Sequence, residues 1–153
     1  QNLVPIAGSP ITATWGDSNG ASKLAVSEHL GRVAAADAQT VRIYDGVATV
    51  GAHTFNVSGV LVSKIAFDDA GARLLVMFTD GQIAALSTEN ASVVVAPVSR
   101  APMALGVPAY DASPGRFYFL SKLTLVVLDA VSLAPVSGSP ATINSVGNAV
   151  TFF

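Results

Sequence analysis

The sequence contains no cysteine and few charged side chains, and each absence excludes a class of protein. Without cysteine, the chain forms neither disulfide bonds nor thiolate metal sites. Charged residues make up 12% of the chain, about half of the usual share, and lysine occurs only at Lys23, Lys64 and Lys122. Electrostatic binding of nucleic acid needs a clustered basic face. We therefore expect no nucleic-acid partner.

A long apolar run suited to a membrane helix is also missing. The longest stretch without a charge, residues 130–153, is interrupted by two prolines and two glycines, whereas a spanning helix needs about 20 mainly apolar residues. We expect no membrane span, and no signal peptide within the chain, because no basic segment followed by an apolar one opens it. Hydrophobic residues nevertheless reach 51%, which excludes intrinsic disorder. The abundance of Ala, Val, Ser, Thr and Gly favours a secreted, cell-surface or periplasmic protein.

What the sequence does contain is an internal repeat. A short turn that begins with Ser or Asp and contains glycine occurs three times, and each copy ends in an arginine, at Arg32, Arg73 and Arg116. These arginines lie 41 and 43 residues apart. A second landmark, the end of a β-rich run, occurs at steps of 42 residues, at Asp45, Ser87 and Asp129. Landmarks that share one spacing indicate a repeat of about 42 residues.

Each repeat reads as four short strands. In the second copy the apolar runs are residues 62–67, 73–79, 82–87 and 92–98, and Asp80-Gly81 between the second and third runs is a strong hairpin signal. The runs are short and bounded by Gly, Pro, Asp and Asn, and no helical period of 3.6 is sustained. Four short strands in about 42 residues are typical of a β-propeller blade. We expect the arginines in equivalent turns, and residues 41–44, 83–86 and 125–128 in central strands.

The order of motifs within the unit is distinctive. An apolar strand leads into an Asp-x-x-Gly-Arg-type turn, and a Val-x-Val-Leu-Asp strand precedes a Leu-x-Pro-Val-x-Gly-Ser-Pro segment, most clearly at residues 116–140. This pattern resembles the bacterial YVTN and lactonase-like β-propeller repeats, which are relatives of WD-repeat propellers. The sequence departs from the pattern at two places. Ser87 stands where the other copies have Asp, and the segment after Asp45 lacks the two prolines of the Leu-x-Pro-Val-x-Gly-Ser-Pro pattern. The resemblance implies blades whose strands run a, b, c and d from the inside outward.

On this assignment the fold is all-β, with about three complete four-stranded antiparallel blades and a partial strand at each end. The repeats cover roughly residues 23–61, 62–103 and 104–146 of a single domain or fragment, 1–153. Outer strands are expected at residues 3–14, 48–57, 92–98 and 133–143, and inner strands ending near Val26, Phe67, Tyr110 and Phe152. Propellers usually close with 4–8 blades. Three arrangements stay open: a piece of a longer propeller, an open arc completed by another copy or a partner, and a different packing of the same repeat.

Few residues suggest chemistry. His29 in an a–b turn and His53 in a d strand have no metal-ligand or general-base motif around them. Asp68-Asp69 could suggest a cation site, but an Asp at the start of a turn usually accepts hydrogen bonds from turn amides. We expect no catalytic residue, no metal site and no cofactor.

The segment 14–22 is the exception, because it holds the only Trp and is an unusually long d–a connection. The propeller resemblance implies that ligands bind the face built from d–a and b–c connections. Trp is enriched at binding hot spots. We therefore predict a binding surface of Trp15, Asp17 and Asn19, with Arg100 nearby. The alternative is that Trp15 caps the apolar end of a blade.

These features favour a non-catalytic binding or scaffold module of a secreted or surface protein, acting through protein or glycan contacts. The expected partner is another protein, further copies of the same chain or the remainder of the propeller. The alternative, which the family resemblance implies, is a lactonase-type hydrolase propeller of which this chain is a part.

Overall fold

The computed structural model describes residues 23–45, 52–68, 72–99, 109–111, 115–121 and 124–142. All regular structure within these residues is β, and no helix occurs among them. The strands are β1 (Lys23–Ser27), β2 (Arg32–Ala36), β3 (Thr40–Asp45), β4 (His53–Asn56), β5 (Val62–Asp68), β6 (Arg73–Phe78), β7 (Gln82–Ser87), β8 (Val93–Ser99), β9 (Ala109–Asp111), β10 (Arg116–Ser121), β11 (Thr124–Asp129) and β12 (Ala141–Thr142).

The strands form three antiparallel sheets, each made of four consecutive strands in chain order. The first sheet is β1–β4, the second β5–β8 and the third β9–β12. The predicted fold class is thereby confirmed, and the three described sheets do not close into a ring. The runs predicted as central strands lie in β3, β7 and β11, each flanked by two neighbours. The division of the chain into a single domain with three repeat boundaries stays a prediction.

An arginine opens the second strand of every sheet. It pairs across the ladder with the last residue of the third strand, in the pairs Arg32↔Asp45, Arg73↔Ser87 and Arg116↔Asp129. Because strand residues alternate between the two faces, this register puts the three arginines on the same side of their sheets. For Arg32 and Arg73 that side faces the next sheet in chain order.

The second sheet is the middle layer, and its second strand, β6, carries apolar side chains on both faces. All of β6 is buried. Leu74, Val76 and Phe78 belong to the apolar layer shared with the first sheet, whereas Leu75 and Met77 belong to the layer shared with the third. A strand covered on both sides has no polar face, which is why its sequence reads as a continuous apolar run.

Two apolar layers hold the sheets together. Between the first and second sheets, the small side chains of Ala34 and Ala36 pack with larger ones such as Leu74 and Leu86. Between the second and third sheets, Phe117 and Leu128 pack with residues that include Leu75 and Ile83. Burial of one such Leu or Phe side chain stabilises the fold by roughly 1.5–3 kcal/mol. The layers therefore supply most of the free energy that keeps the sheets stacked.

Arg73 adds a polar contact to the second of these layers. Its Nε donates to Asp68 Oδ2 at 3.0 Å, and its Nη2 donates to the same carboxylate. On the third sheet, its Nη1 donates to the carbonyl oxygen of Val131 at 3.0 Å and its Nη2 to that of Ala130. The side chains of Arg73 and Asp68 are only 9% and 1% exposed. Arg73 thus links the end of β5 in its own sheet to the turn that follows β11.

Arg32 makes the corresponding contact one sheet earlier. Its Nε donates to Asp45 Oδ1 at 2.9 Å, and its Nη1 donates to the hydroxyl of Thr88, which follows β7 in the second sheet. The Thr88 hydroxyl in turn donates to the carbonyl oxygen of Ala72 at 2.7 Å. In both junctions the acceptor lies just after the third strand of the following sheet.

The fourth strand of the third sheet differs from the prediction. Residues 133–143 were expected to form one outer strand, but only an isolated bridge at Pro135 and the short β12 pair with β11. Pro135 and Pro140 have no N–H to donate to a ladder, and a turn with Gly138 at φ +83° separates them. The hydroxyl of Ser139 accepts from Val127 N at 2.8 Å instead.

The other outer and inner strands can be compared only in part. Of the predicted outer strand 48–57 the structure describes residues 52–57, in which β4 lies, and β8 lies within one residue of the strand predicted at 92–98. The inner strands β1, β5 and β9 lie where they were expected. The predicted strands at 3–14 and near Phe152 lie outside the described residues.

Replacement of Arg73 by methionine should lower the free energy of unfolding by about 3–5 kcal/mol, because it leaves the buried Asp68 carboxylate without the guanidinium. Arg32→Met should cost about 1 kcal/mol or less, since Asp45 is 64% exposed and water replaces the lost partner. Urea denaturation followed by far-UV circular dichroism measures both. Similar losses for the two variants would contradict the ranking, and Asp68→Asn in the Arg73→Met background should recover part of the loss.

Candidate functional site

A cleft lies between the first and second sheets, at the edge that carries the β4–β5 connection and the β6–β7 turn. Its volume is about 260 Å³, and its lining comprises Phe55, Asn56, Val57, Ser58, Val60, Phe78, Gln82 and Pro97. These connections belong to the face that the propeller resemblance implied for ligands. The cleft is therefore the candidate functional site within the described residues.

Main-chain hydrogen bonds fix the β4–β5 connection that forms one wall of the cleft. Val57 N donates to the carbonyl oxygen of Gln39 at 2.7 Å, and Val62 N donates to that of Ala38 at 2.8 Å. Thr79 N in the β6–β7 turn donates to the carbonyl oxygen of Leu61 at 2.9 Å. The connection is thus bonded to the second-to-third-strand turns of both sheets, so the wall of the cleft is held in place before any ligand binds.

Two aspartates stabilise the turns on which the connection rests. Asp37 accepts from the main-chain N–H groups of Gln39 and Thr40 at 2.8 and 2.6 Å. Asp80 accepts from Gln82 N at 3.0 Å and from Gln82 Nε2 at 2.9 Å. Side-chain acceptors of this kind are the usual reason for Asp in tight turns. Asp80 also fixes the carboxamide of Gln82 at the cleft, and the predicted hairpin turn at Asp80-Gly81 is confirmed.

The chemistry of the lining is apolar with a neutral polar component. Five of its side chains are hydrocarbon and three are neutral hydrogen-bonding groups: Asn56, Ser58 and Gln82. Pockets for whole drug-sized ligands measure about 300–1,000 Å³. A volume of about 260 Å³ suits a single side chain or one ring rather than a large cofactor. The cleft can hold an uncharged, largely apolar group that carries one or two hydrogen-bonding atoms.

The residues predicted from the sequence as the binding surface are Trp15, Asp17, Asn19 and Arg100, and all four lie outside the described residues. Their role stays a prediction. Sequence reasoning missed the cleft itself, because Phe55 and Phe78 read as core residues of ordinary strands. A signal that could have indicated it is the connection at residues 58–61, because it is a d–a connection and the resemblance implies that such connections build the ligand-binding face.

The two histidines lie in the elements predicted for them, whereas Asp68 was predicted at the start of a turn and is the last residue of β5. His29 is exposed in the β1–β2 turn, and His53 pairs with Ile43 in β4. Asp68 is buried in the ion pair with Arg73. Among the described residues no three of His, Cys, Asp and Glu are grouped to hold a metal ion. No helix in the described part of the chain is long and apolar enough to cross a membrane.

The carboxylate of Asp129 accepts three hydrogen bonds in the turn after β11. Its Oδ1 accepts from Ser132 N at 2.8 Å, Ser132 Oγ at 2.7 Å and Val131 N at 3.1 Å. These bonds, chiefly the one from the Ser132 main chain, hold the pKa of Asp129 below its ordinary value of 3.8. Arg73 acts in the same direction, and partial burial opposes it. Asp129 therefore shapes the turn whose carbonyl oxygens receive Arg73.

Comparison with known proteins supports the fold and leaves the family open. No protein-family model and no curated protein matches this chain. BamB from Moraxella catarrhalis is similar in structure, with a TM-score of 0.59, 12% identity, and coverage of 74% of this chain and 34% of that one. Apo AztD from Citrobacter koseri gives a TM-score of 0.58 at 15% identity, with coverage of 74% and 32%. The computationally designed Ika4 protein gives 0.58 at 14%, with coverage of 80% and 74%.

BamB and AztD are β-propeller proteins, and this chain spans about a third of the length of each. At such low identity the likeness shows the fold alone. A propeller-type fold is therefore supported, and membership of the YVTN and lactonase-like family stays a prediction.

Asp129→Asn should reduce stability at neutral pH by less than about 1 kcal/mol, because the carboxylate is partly exposed and its bonds compete with water. A carboxyl whose pKa is lowered on folding stabilises the fold above its unfolded pKa, and this contribution is lost as the pH falls through the folded pKa. The difference from wild type should thus be constant above about pH 5 and shrink below about pH 4. Urea denaturation from pH 7 to 2.5 measures it.

Glu28→Gln makes the same change of net charge at an exposed turn position and serves as the control. An Asp129→Asn difference that stayed constant down to pH 2.5 would show that the ionised carboxylate contributes nothing to the turn.

Proposed function

We propose that the protein is a non-catalytic β-propeller-type module that binds a protein partner through the cleft between its first two sheets. The observation that carries this proposal is the combination of an uncharged cleft, sized for one side chain, with walls fixed by main-chain hydrogen bonds. Fixed walls reduce the entropy lost on binding. The cleft therefore favours recognition of a protruding group over transformation of a bound substrate.

The group that fits is an aliphatic or aromatic side chain of the partner. Phe55, Phe78 and Val60 offer apolar surface, and burial of an apolar group there is favourable by about 25 cal/mol per Å². Asn56 and Ser58 supply donors and acceptors for the partner's main chain at the same site. Binding hot spots are typically buried anchors surrounded by contacts that add little binding energy but exclude water, and residues at the rim of the cleft such as Asn56 and Ser58 can make such contacts.

The surface predicted from the sequence forms the second part of the proposal. Trp15, Asp17, Asn19 and Arg100 belong to connections assigned to the same face of the module, so they would extend the contact beyond the cleft. The composition, which is rich in small and hydroxyl residues and poor in lysine, supports a secreted, cell-surface or periplasmic setting for this contact.

Selection of a phage-displayed peptide library on the immobilised protein should yield peptides that share an aromatic or aliphatic anchor. Val60→Trp should weaken binding of such a peptide at least about tenfold, because the indole fills a cleft of one-side-chain size. Fluorescence anisotropy measures the affinity. Val131→Trp makes the same substitution at a valine that is 72% exposed in the turn after β11, and should leave peptide binding unchanged.

Three outcomes would contradict the proposal. The first is equal peptide binding by wild type and Val60→Trp, provided that circular dichroism shows both folded. The second is binding to a glycan array with no peptide enrichment, which would assign the cleft to a sugar ring. The third is turnover of a panel of lactones by the purified protein, which would favour the hydrolase alternative.

A further inference from the structure

An arginine begins the second strand of each described sheet. In the first two sheets this arginine contacts the sheet that follows in the chain. Arg32 donates to Thr88 of the second sheet, and Arg73 donates to the carbonyl oxygens of Ala130 and Val131 of the third. Each contact crosses from one sheet to the turn after the third strand of the next. The same contact thus occurs at both junctions and always in the same direction: the guanidinium lies on one sheet, and the oxygen acceptors lie on the sheet that follows.

Arg116 is the donor half of this contact at the outward face of the third sheet. Phe117 and Phe119 of β10 are buried against the second sheet, and alternation therefore puts Arg116 on the opposite face. Arg116 is exposed. Half-buried apolar residues share this face: Tyr118, Leu120, Leu125 and Val127.

The outward face of the first sheet is the other end of the stack. Leu24 and Val26 of β1 are 67% and 60% exposed. They pair across the ladder with Ala35 and Val33, on the side away from the second sheet. In the second and third sheets the corresponding faces are covered by the preceding sheet. An exposed Leu and Val side by side on a sheet face mark a surface suited to the same kind of cover.

We propose that a second copy of this chain supplies that cover, with the outward face of its first sheet packed on the outward face of the third sheet, and with Arg116 as the polar link. The contact continues an interface that the chain already makes twice between its own sheets. It rests on the proposed role as a protein-contact module but uses a surface separate from the cleft.

The guanidinium of Arg116 restricts what can cover this face. A purely apolar surface would bury the charge without acceptors, at a cost of several kcal/mol. Arg32 and Arg73 avoid this cost by bonding to a hydroxyl and to main-chain carbonyl oxygens next to a strand end. The matching edge of a second copy is the end of β3, and we expect main-chain carbonyl oxygens there to accept from Arg116.

Closure of the stack gives the number of copies. A head-to-tail interface either closes into a ring or continues into a filament. Two copies bring together twice the three described sheets, which lies within the usual 4–8 blades of a propeller, whereas three copies exceed it. The expected assembly is a closed pair of about twice 15.5 kDa.

Sedimentation velocity of the wild-type chain at about 100 μM should show this pair. Arg116→Ala should raise its dissociation constant at least about tenfold, whereas Glu89→Ala, at an exposed acid in the turn after β7, and the cleft variant Val60→Trp should leave the dissociation constant unchanged. A wild-type chain that stays monomeric, or an Arg116→Ala chain that pairs as tightly as wild type, would overturn the proposal.

A second pair of variants tests the head-to-tail geometry. Val26→Glu alters the opposite end of the stack and should also raise the dissociation constant at least about tenfold, and Leu24→Glu repeats the test at a neighbouring residue. Each single variant keeps one intact face, so a mixture of Arg116→Ala and Val26→Glu should form a one-to-one complex. A Val26→Glu chain and a Leu24→Glu chain that both remain paired would show that two third sheets meet each other, and would exclude head-to-tail packing.

The two proposals can fail separately. Retention of peptide binding by Arg116→Ala, with pairing weakened, would support the cleft and show that pairing uses a separate surface. Loss of peptide binding by Val60→Trp with pairing unchanged would show that the pairing surface does not depend on the cleft. Circular dichroism and thermal unfolding establish that each variant is folded before these comparisons are made.

Discussion

A guanidinium buried between two sheets determines how the second and third sheets meet. Removal of Arg73 and Asp68 from water costs several kcal/mol per ion, and the cost is offset because the guanidinium is bonded to the carboxylate and to two carbonyl oxygens. Those oxygens belong to Ala130 and Val131, in the turn that Asp129 and Ser132 shape. The ion pair therefore depends on the next sheet, and the position of the next sheet depends on the ion pair.

The apolar layers and the arginines contribute different things to this arrangement. Apolar burial is the larger favourable term, but it is non-directional and tolerates small slides of one sheet on another. Hydrogen bonds from Arg32 and Arg73 have narrow geometric limits, so they fix one edge of each interface. Hydrogen bonds act in the same way at the cleft, where the main-chain N–H groups of Val57, Val62 and Thr79 join the β4–β5 connection to two turns. A stack of thin sheets thus acquires defined surfaces from a few polar contacts.

Much of the fold could be predicted from the sequence, because its signals are local. The spacing of Arg32, Arg73 and Arg116 predicted equivalent positions even though Ser87 stands where the other copies have Asp. The structure explains that tolerance, since the Ser87 hydroxyl and the Asp129 carboxylate each accept from the main-chain N–H two residues later. The broken outer strand at Pro135 was not predicted, because proline and glycine were read as part of the family pattern rather than for their missing N–H and free φ.

The parts that sequence reasoning missed depend on contacts between elements distant in the chain. The acceptors of Arg73 on the third sheet are carbonyl oxygens, which every residue carries, so no residue type marks them. Phe55 and Phe78 line the cleft but have the same pattern as core residues.

The arginine contacts between sheets all run in one direction along the chain. The second sheet receives a guanidinium from the first sheet and donates one to the third, so the two faces of such a sheet, and hence the two ends of a stack, differ. A contact between such unlike ends is complementary without being symmetric, and the geometry of closure, rather than the strength of any one contact, sets how many sheets the assembly can contain.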